Sequence, residues 1–300
     1  MNTELSTQVA EGFVCHTISN KQINLILVPE LGGRVVSIYD KLNSREWLDG
    51  WSPSDRRRLW HPDDPERYDS GPGAGLDECL PTVLPCRIGN RRFTDHGELW
   101  RTAPGFSIEG RDLVCIWHLQ SLPLILKRAI RLEGDTITMR YRLENCSPDT
   151  IPFQWAWHAL LKLEDGDIMT FEDRPETCRT PSGEALSWPS PLPGQDLSRG
   201  DTGSPLPSSA KVFLGPFQQG MAKVQGAKSS LELSWPTDLF PWAGIWVTRG
   251  AWKGLHHWAI EPTNGAFDRL SELPASPLTR IQGHEKRDWT VTIRLNSSNC

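Results

Sequence analysis

The stretch Ile130-Arg-Leu-Glu-Gly-Asp-Thr-Ile-Thr-Met-Arg-Tyr-Arg-Leu143 sets how the rest of the chain reads. Ile130, Leu132, Ile137, Met139, Tyr141 and Leu143 fall on one side of a period-two pattern, with Arg131, Thr136, Thr138, Arg140 and Arg142 on the other. Successive side chains of a strand point to opposite faces, so the pattern predicts strands with one buried face. Gly134-Asp135 interrupts it with the residues a two-residue turn requires, because glycine enters positive φ without a steric penalty. The stretch is therefore a β-hairpin. The end of the chain repeats the pattern, with Trp289, Val291, Ile293 and Leu295 alternating against Thr290, Thr292 and Arg294.

Working outward, strand-like runs recur at 23–28, 34–39, 106–119, 151–158, 211–214, 231–235, 244–248 and 256–261, most of them separated by turn residues. Only weak helical patterns occur, around 54–60 and 266–272. Many strands and few helices predict an all-β fold, a large antiparallel sandwich. Residues 180–210 are rich in Pro, Ser and Gly, with six prolines between 181 and 207, and read as a long surface excursion. A linker between two domains is the alternative. The excursion is preferred because the strands after it carry residues that the strands before it need, which predicts one domain over residues 1–300.

Composition narrows the function. A formal net charge of −5 argues against a dominant phosphate-neutralising surface, so nucleic acid is not an expected partner. No stretch approaches eighteen consecutive apolar residues and the N-terminus lacks a secretory pattern, so neither a membrane partner nor export is expected and the location reads as cytoplasmic. Seven scattered cysteines without any Cys-x-x-Cys predict reduced, mostly buried thiols rather than a disulfide framework or a zinc site. The 14 tryptophans against 3 tyrosines offer flat apolar faces that stack on sugar rings, although most are expected in the core.

Two strands carry candidate chemistry. In Ile151-Pro-Phe-Gln-Trp-Ala-Trp-His158, the bulky Phe153, Trp155 and Trp157 share the core face, leaving Gln154, Ala156 and His158 on the other. In His256-His-Trp-Ala-Ile-Glu261, Trp258 and Ile260 oppose His257, Ala259 and Glu261. Each strand thus ends in an ionisable group approached over an alanine. Gly244-Ile-Trp-Val-Thr248 puts Trp246 on a face with Gly244 and Thr248. Such faces could form a polar site with one aromatic platform. Each residue also has a structural reading: a satisfied histidine, a strand-end carboxylate before Pro262, a core tryptophan.

The segments Leu31-Gly-Gly-Arg-Val-Val-Ser-Ile-Tyr39, Asp95-His-Gly-Glu-Leu-Trp100, Trp157-His-Ala-Leu160 and Ile260-Glu-Pro-Thr-Asn-Gly265 occur in the order found in the aldose 1-epimerase (galactose mutarotase-like) family, which the chain resembles over nearly its whole length. Leu278, Gly283 and the strand from Trp289 resemble that family's C-terminal pattern. Each motif is short, but four in order with suitable spacing are stronger than any one. The resemblance implies a galactose mutarotase-like supersandwich and a cofactor-independent mutarotase acting on a pyranose. Glu261 would be the general base, His158 the general acid, and His96 a second histidine on the sugar. No metal or organic cofactor is implied, and the partner would be a small monosaccharide met by a monomer or homodimer.

The chain departs from the best-known branches near Gly71-Pro-Gly-Ala-Gly-Leu-Asp-Glu-Cys-Leu-Pro-Thr82, where those branches often carry an arginine that contacts the sugar or its phosphate. Asp77 and Glu78 are the candidate hydroxyl binders there. Arginines 34, 45, 56, 57, 58, 67, 87, 91, 92 and 101 cluster in an otherwise acidic chain and leave an anionic aldose open, with Arg34 the one expected at the sugar because it sits inside a motif and on a strand. The main rival from another class is a non-catalytic sugar-binding protein, which would not need both His158 and Glu261. A glycoside hydrolase would need two flanking carboxylates where one convincing strand-end carboxylate is evident. A metal-dependent isomerase is disfavoured because His256 and His257 point to opposite faces of a strand.

Overall fold

The computed structural model describes residues 3–49, 60–191, 194–201 and 208–297. The hairpin forms as the alternation predicts: Leu124–Glu133 pairs with Thr136–Asn145, Leu132 opposite Ile137, and Gly134 turns at φ 61°. All six apolar residues of the pattern are buried. Lys286–Ser297 pairs with Thr136–Asn145 on its other side.

Among the described residues the strands form two large antiparallel sheets. The smaller has eight strands and is built around that hairpin, from Ile168–Phe171 at one edge to Gly105–Glu109 at the other. The larger has twelve, and its centre runs, in order of pairing, through Arg34–Asp40, Leu76–Cys79, Ala156–Lys162, His256–Thr263, Trp242–Arg249 and Ser208–Leu214. Leu76, Ala159 and Ile260 of the larger sheet and Leu126, Ile137 and Val291 of the smaller belong to one apolar cluster, so the core lies between the sheets. The predicted core face of each site strand is in it, with Trp155, Trp157 and Trp258 at 0 % exposure.

A charged contact also crosses the core. Glu78 takes Arg128 Nη1 at 2.7 Å and the Tyr141 hydroxyl at 2.7 Å, and Arg128 donates to the Gly33 carbonyl. Glu78 sits on the larger sheet, and Arg128 and Tyr141 sit on the smaller. An anion there is tolerable only because it is fully paired and hydrogen-bonded.

Four local expectations are corrected. The run 151–158 is not one strand: Ile151–Pro152 pairs with Arg280–Ile281 and the sheet strand begins at Ala156, because the Asn264 side chain takes the backbone bonds between them, accepting from Trp155 N at 3.1 Å and donating to Phe153 O at 3.0 Å. The run 106–119 is a hairpin of Gly105–Glu109 and Asp112–His118. The helical pattern at 266–272 becomes a short 3-10 turn, Leu270–Glu272, since Asp268 O and Leu270 N are already bonded to the 82–84 segment. Within 180–210, Ala185–Ser187 is a strand paired with Thr177–Arg179, so the excursion is partly sheet. The other helical pattern, at 54–60, falls almost entirely outside the described residues, as do Arg56, Arg57 and Arg58. No helix among the described residues is long and apolar enough to cross a membrane.

Candidate active site

Register puts the chemistry together. Ala156 opposes Thr263 and Ala159 opposes Ile260, which sets His158 across from Glu261 on adjacent antiparallel strands. Asp77 opposes His158 on the other side, and Gly244 opposes Glu261. One row across four strands therefore reads Asp77, His158, Glu261, Gly244. Side chains paired in this way stand about 4.5–5.5 Å apart at Cβ. His158, Glu261, His96 and Trp246 all line a cavity of about 480 Å³, within the usual range of small-molecule sites.

His158 is held from behind. Its Nδ1 lies 3.3 Å from Asp77 Oδ1 and 3.4 Å from the Tyr68 hydroxyl, leaving Nε2 as the nitrogen for a ligand. Arg34 Nη2 pairs with Asp77 Oδ2 at 2.8 Å. Burial works to raise the Asp77 carboxyl, but Arg34 and His158 outweigh it and hold the carboxyl below its ordinary range. His96 arrives from a turn rather than a strand, at φ 55°. Its amide donates to Val83 O at 2.6 Å and its Nδ1 meets Asp95 Oδ1 at 2.9 Å, while its ring stacks on Tyr68 with centroids 3.9 Å apart. Asp95 is fixed in turn by Tyr68 N, and its carbonyl by Trp100 Nε1, which ties Asp95, His96 and Trp100 into one local unit.

Glu261 is 2 % exposed and faces Lys211, whose Nζ lies 2.5 Å from Oε2. Lys211 comes from the next strand but one, reaching over Gly244, where a Cβ would sit 3.0 Å from Lys211 Nζ and 3.1 Å from Glu261 Oε2. Glycine makes room for the pair. Burial raises the Glu261 carboxyl, yet Lys211, with His158 and His96 beyond, brings it below its ordinary value. Lys211 goes the other way: burial lowers its ammonium, but Asp268 and Glu261 carry it well above the usual lysine range. Trp246 meets Trp252 edge-on at 5.4 Å, and both line the cavity.

Three residues expected at the sugar stand elsewhere in the structure. Arg34 and Asp77 are 3 % and 1 % exposed and do not line the cavity; they pair with each other beneath His158, so they position the histidine. Glu78, offered with Asp77 as a hydroxyl binder, points into the core, because consecutive strand residues face opposite ways. No described arginine lines the cavity: Arg45 pairs with Asp167, Arg67 with Asp69 and Arg92 with Glu66. Residues that sequence reading missed are Tyr68, Asp95, Lys211, Trp252 and Asp268. Lys211 was readable as a strand residue; its arrival beside Glu261 depends on pairing between distant segments.

Cys79, His96 and His158 place one ligand atom each within 4.8 Å of one another. Burial drives the Cys79 thiol far above its ordinary value.

No protein-family model and no curated protein sequence matches the chain. Solved structures do. A galactose mutarotase-like protein from Clostridium acetobutylicum superposes with a TM-score of 0.71 at 11 % identity, over 98 % of this chain and 99 % of that one. One from Lactobacillus casei gives 0.69 at 16 %, over 94 % and 100 %. A protein from Escherichia coli K12 described provisionally as an aldose 1-epimerase gives 0.69 at 15 %, over 99 % and 100 %. The fold is that of galactose mutarotase-like proteins, here with a cavity lined by His96, His158 and Glu261 on its larger sheet.

Proposed function

We propose that the chain is an aldose 1-epimerase, interconverting the α and β anomers of a pyranose. The observation that carries this is His158 and Glu261 facing each other across adjacent strands into one cavity of about 480 Å³. Mutarotation removes the proton of the anomeric hydroxyl while a proton is delivered to the ring oxygen, so one base and one acid must flank the ring. Glu261, held ionised by Lys211, takes the anomeric proton; His158, oriented through Nδ1 by Asp77, donates from Nε2 to the ring oxygen. The C1–O5 bond breaks and an aldehyde forms. Rotation about C1–C2 presents the other carbonyl face, and the same groups run in reverse to close the ring. His96 and Trp246 hold the sugar, the tryptophan by stacking on its C–H face.

The test is anomer exchange followed by saturation-transfer NMR, with the spontaneous rate subtracted. Glu261→Gln keeps the side-chain shape but is no base, and His158→Asn cannot supply the proton. Each is expected to lose about 10² to 10⁴ in rate while sugar binding persists. A sugar-binding protein without turnover is the second reading, favoured by one observation, the direct engagement of Glu261 by Lys211. Binding to the unmodified protein with exchange no faster than in water, and unchanged in both variants, would select it.

A further inference from the structure

One buried acceptor in the cavity makes no hydrogen bond among the described residues and has only a long ion pair. Asp268 is 8 % exposed, lines the cavity, and its Oδ1 accepts no hydrogen bond. Its nearest cation is Lys211 Nζ at 3.5 Å, and that ammonium lies closer to Glu261. The position is rigid: Asp268 O accepts from Val83 N at 3.0 Å and Leu84 N at 2.6 Å, and the preceding carbonyl, of Phe267, takes the Gln154 amide. Leaving a buried acceptor unsatisfied costs stability, and where such a group faces a cavity a bound ligand can complete its bonding.

Four carboxylates line the cavity: Glu261 and Asp268 share one ammonium, Lys211, while Asp95 meets His96 and Asp69 pairs with Arg67. No described arginine is present to pair with an anion. We propose that Asp268 is a specificity-determining residue: Oδ1 accepts a hydrogen bond from a hydroxyl or amino group of the bound aldose, and its charge, with its carboxylate neighbours, excludes uronates and sugar phosphates. The substrate class is thus neutral or amino-substituted aldoses. This rests on the mutarotase reading only for the nature of the ligand as a sugar ring.

The experiment uses gluco- and galacto-configured hexoses, each as the neutral sugar, the 2-amino sugar and the uronate, with Kd measured by NMR titration and anomer exchange followed in the same samples. The unmodified protein is expected to bind the better neutral and amino sugars at least about tenfold tighter than the matching uronate, since like charges brought together in a site are strongly disfavoured. Asp268→Asn should weaken neutral-sugar binding by about tenfold or more, the usual effect of losing a hydrogen bond to a charged group, and bring the uronate to within about threefold of it. Equal binding of uronate and neutral sugar by the unmodified protein overturns the inference. So does an unchanged ratio in Asp268→Asn, and with Glu261→Gln still abolishing exchange that result leaves the mutarotase reading standing. Absence of binding by every sugar overturns both. Should Asp268→Asn fail to fold, Asp268→Glu decides: the displaced carboxylate must weaken neutral-sugar binding while keeping the discrimination against uronates, and any other result overturns the proposal.

Discussion

Glu261 shows how opposing effects are settled at one side chain. Burial alone would push its carboxyl up and make it a less available base. Lys211 at 2.5 Å reverses this and keeps the carboxylate ionised below its ordinary range. The consequence is directional. In Lys211→Met burial is left without its main opponent, so the Glu261 carboxyl rises and is protonated at higher pH than before. The acid limb of the kcat/KM profile for anomer exchange is then expected to move toward neutrality, with the basic side unaffected. An acid limb that stays in place would mean that Glu261 is not the titrating base or that Lys211 does not govern it.

At the level of elements, each site strand does two jobs, one per face. The strand Leu76–Cys79 sends Asp77 beneath the cavity and Glu78 into the core, where Arg128 and Tyr141 of the opposite sheet receive it. Removing one partner strands the other charge in a low dielectric, whereas removing both leaves little to penalise. Arg128→Met is therefore expected to cost about 3–5 kcal/mol in denaturant unfolding. The double variant Glu78→Gln, Arg128→Met should cost clearly less than the sum of the single changes, as coupled pairs do in a double-mutant cycle. Additive losses would show that the two groups act independently.

For the molecule as a whole, the main apolar cluster takes residues from both sheets, and a smaller one of Phe13, Cys15, Ile26, Val28, Leu31 and Val36 lies on the larger sheet alone. We propose that residues 1–300 behave as a single domain. Thermal or urea unfolding followed by tryptophan fluorescence and by far-ultraviolet circular dichroism should then give coincident transitions. Two separated transitions would divide the chain into independent units and revive the linker reading of residues 180–210.

Period-two alternation made the fold class legible, because which face of a strand is buried is a local property written every second residue. It also placed His158 and Glu261 on the faces away from the core, and it put Trp246 with Gly244. What alternation does not encode is which strand lies beside which. The row from Asp77 through His158 and Glu261 to Gly244, and the reach of Lys211 across it, come from pairings between segments up to about one hundred residues apart, and these are decided by packing of the whole core. Arg34 illustrates the difference: its motif and strand were readable, but whether its charge met a ligand or a buried aspartate depended on Asp77 standing beside it. Tyr68, Asp95 and Asp268 lie outside the sheet strands and so carry no periodic signal; hydrogen bonds from distant backbone and side chains fix them in place, and only the tertiary structure supplies those partners.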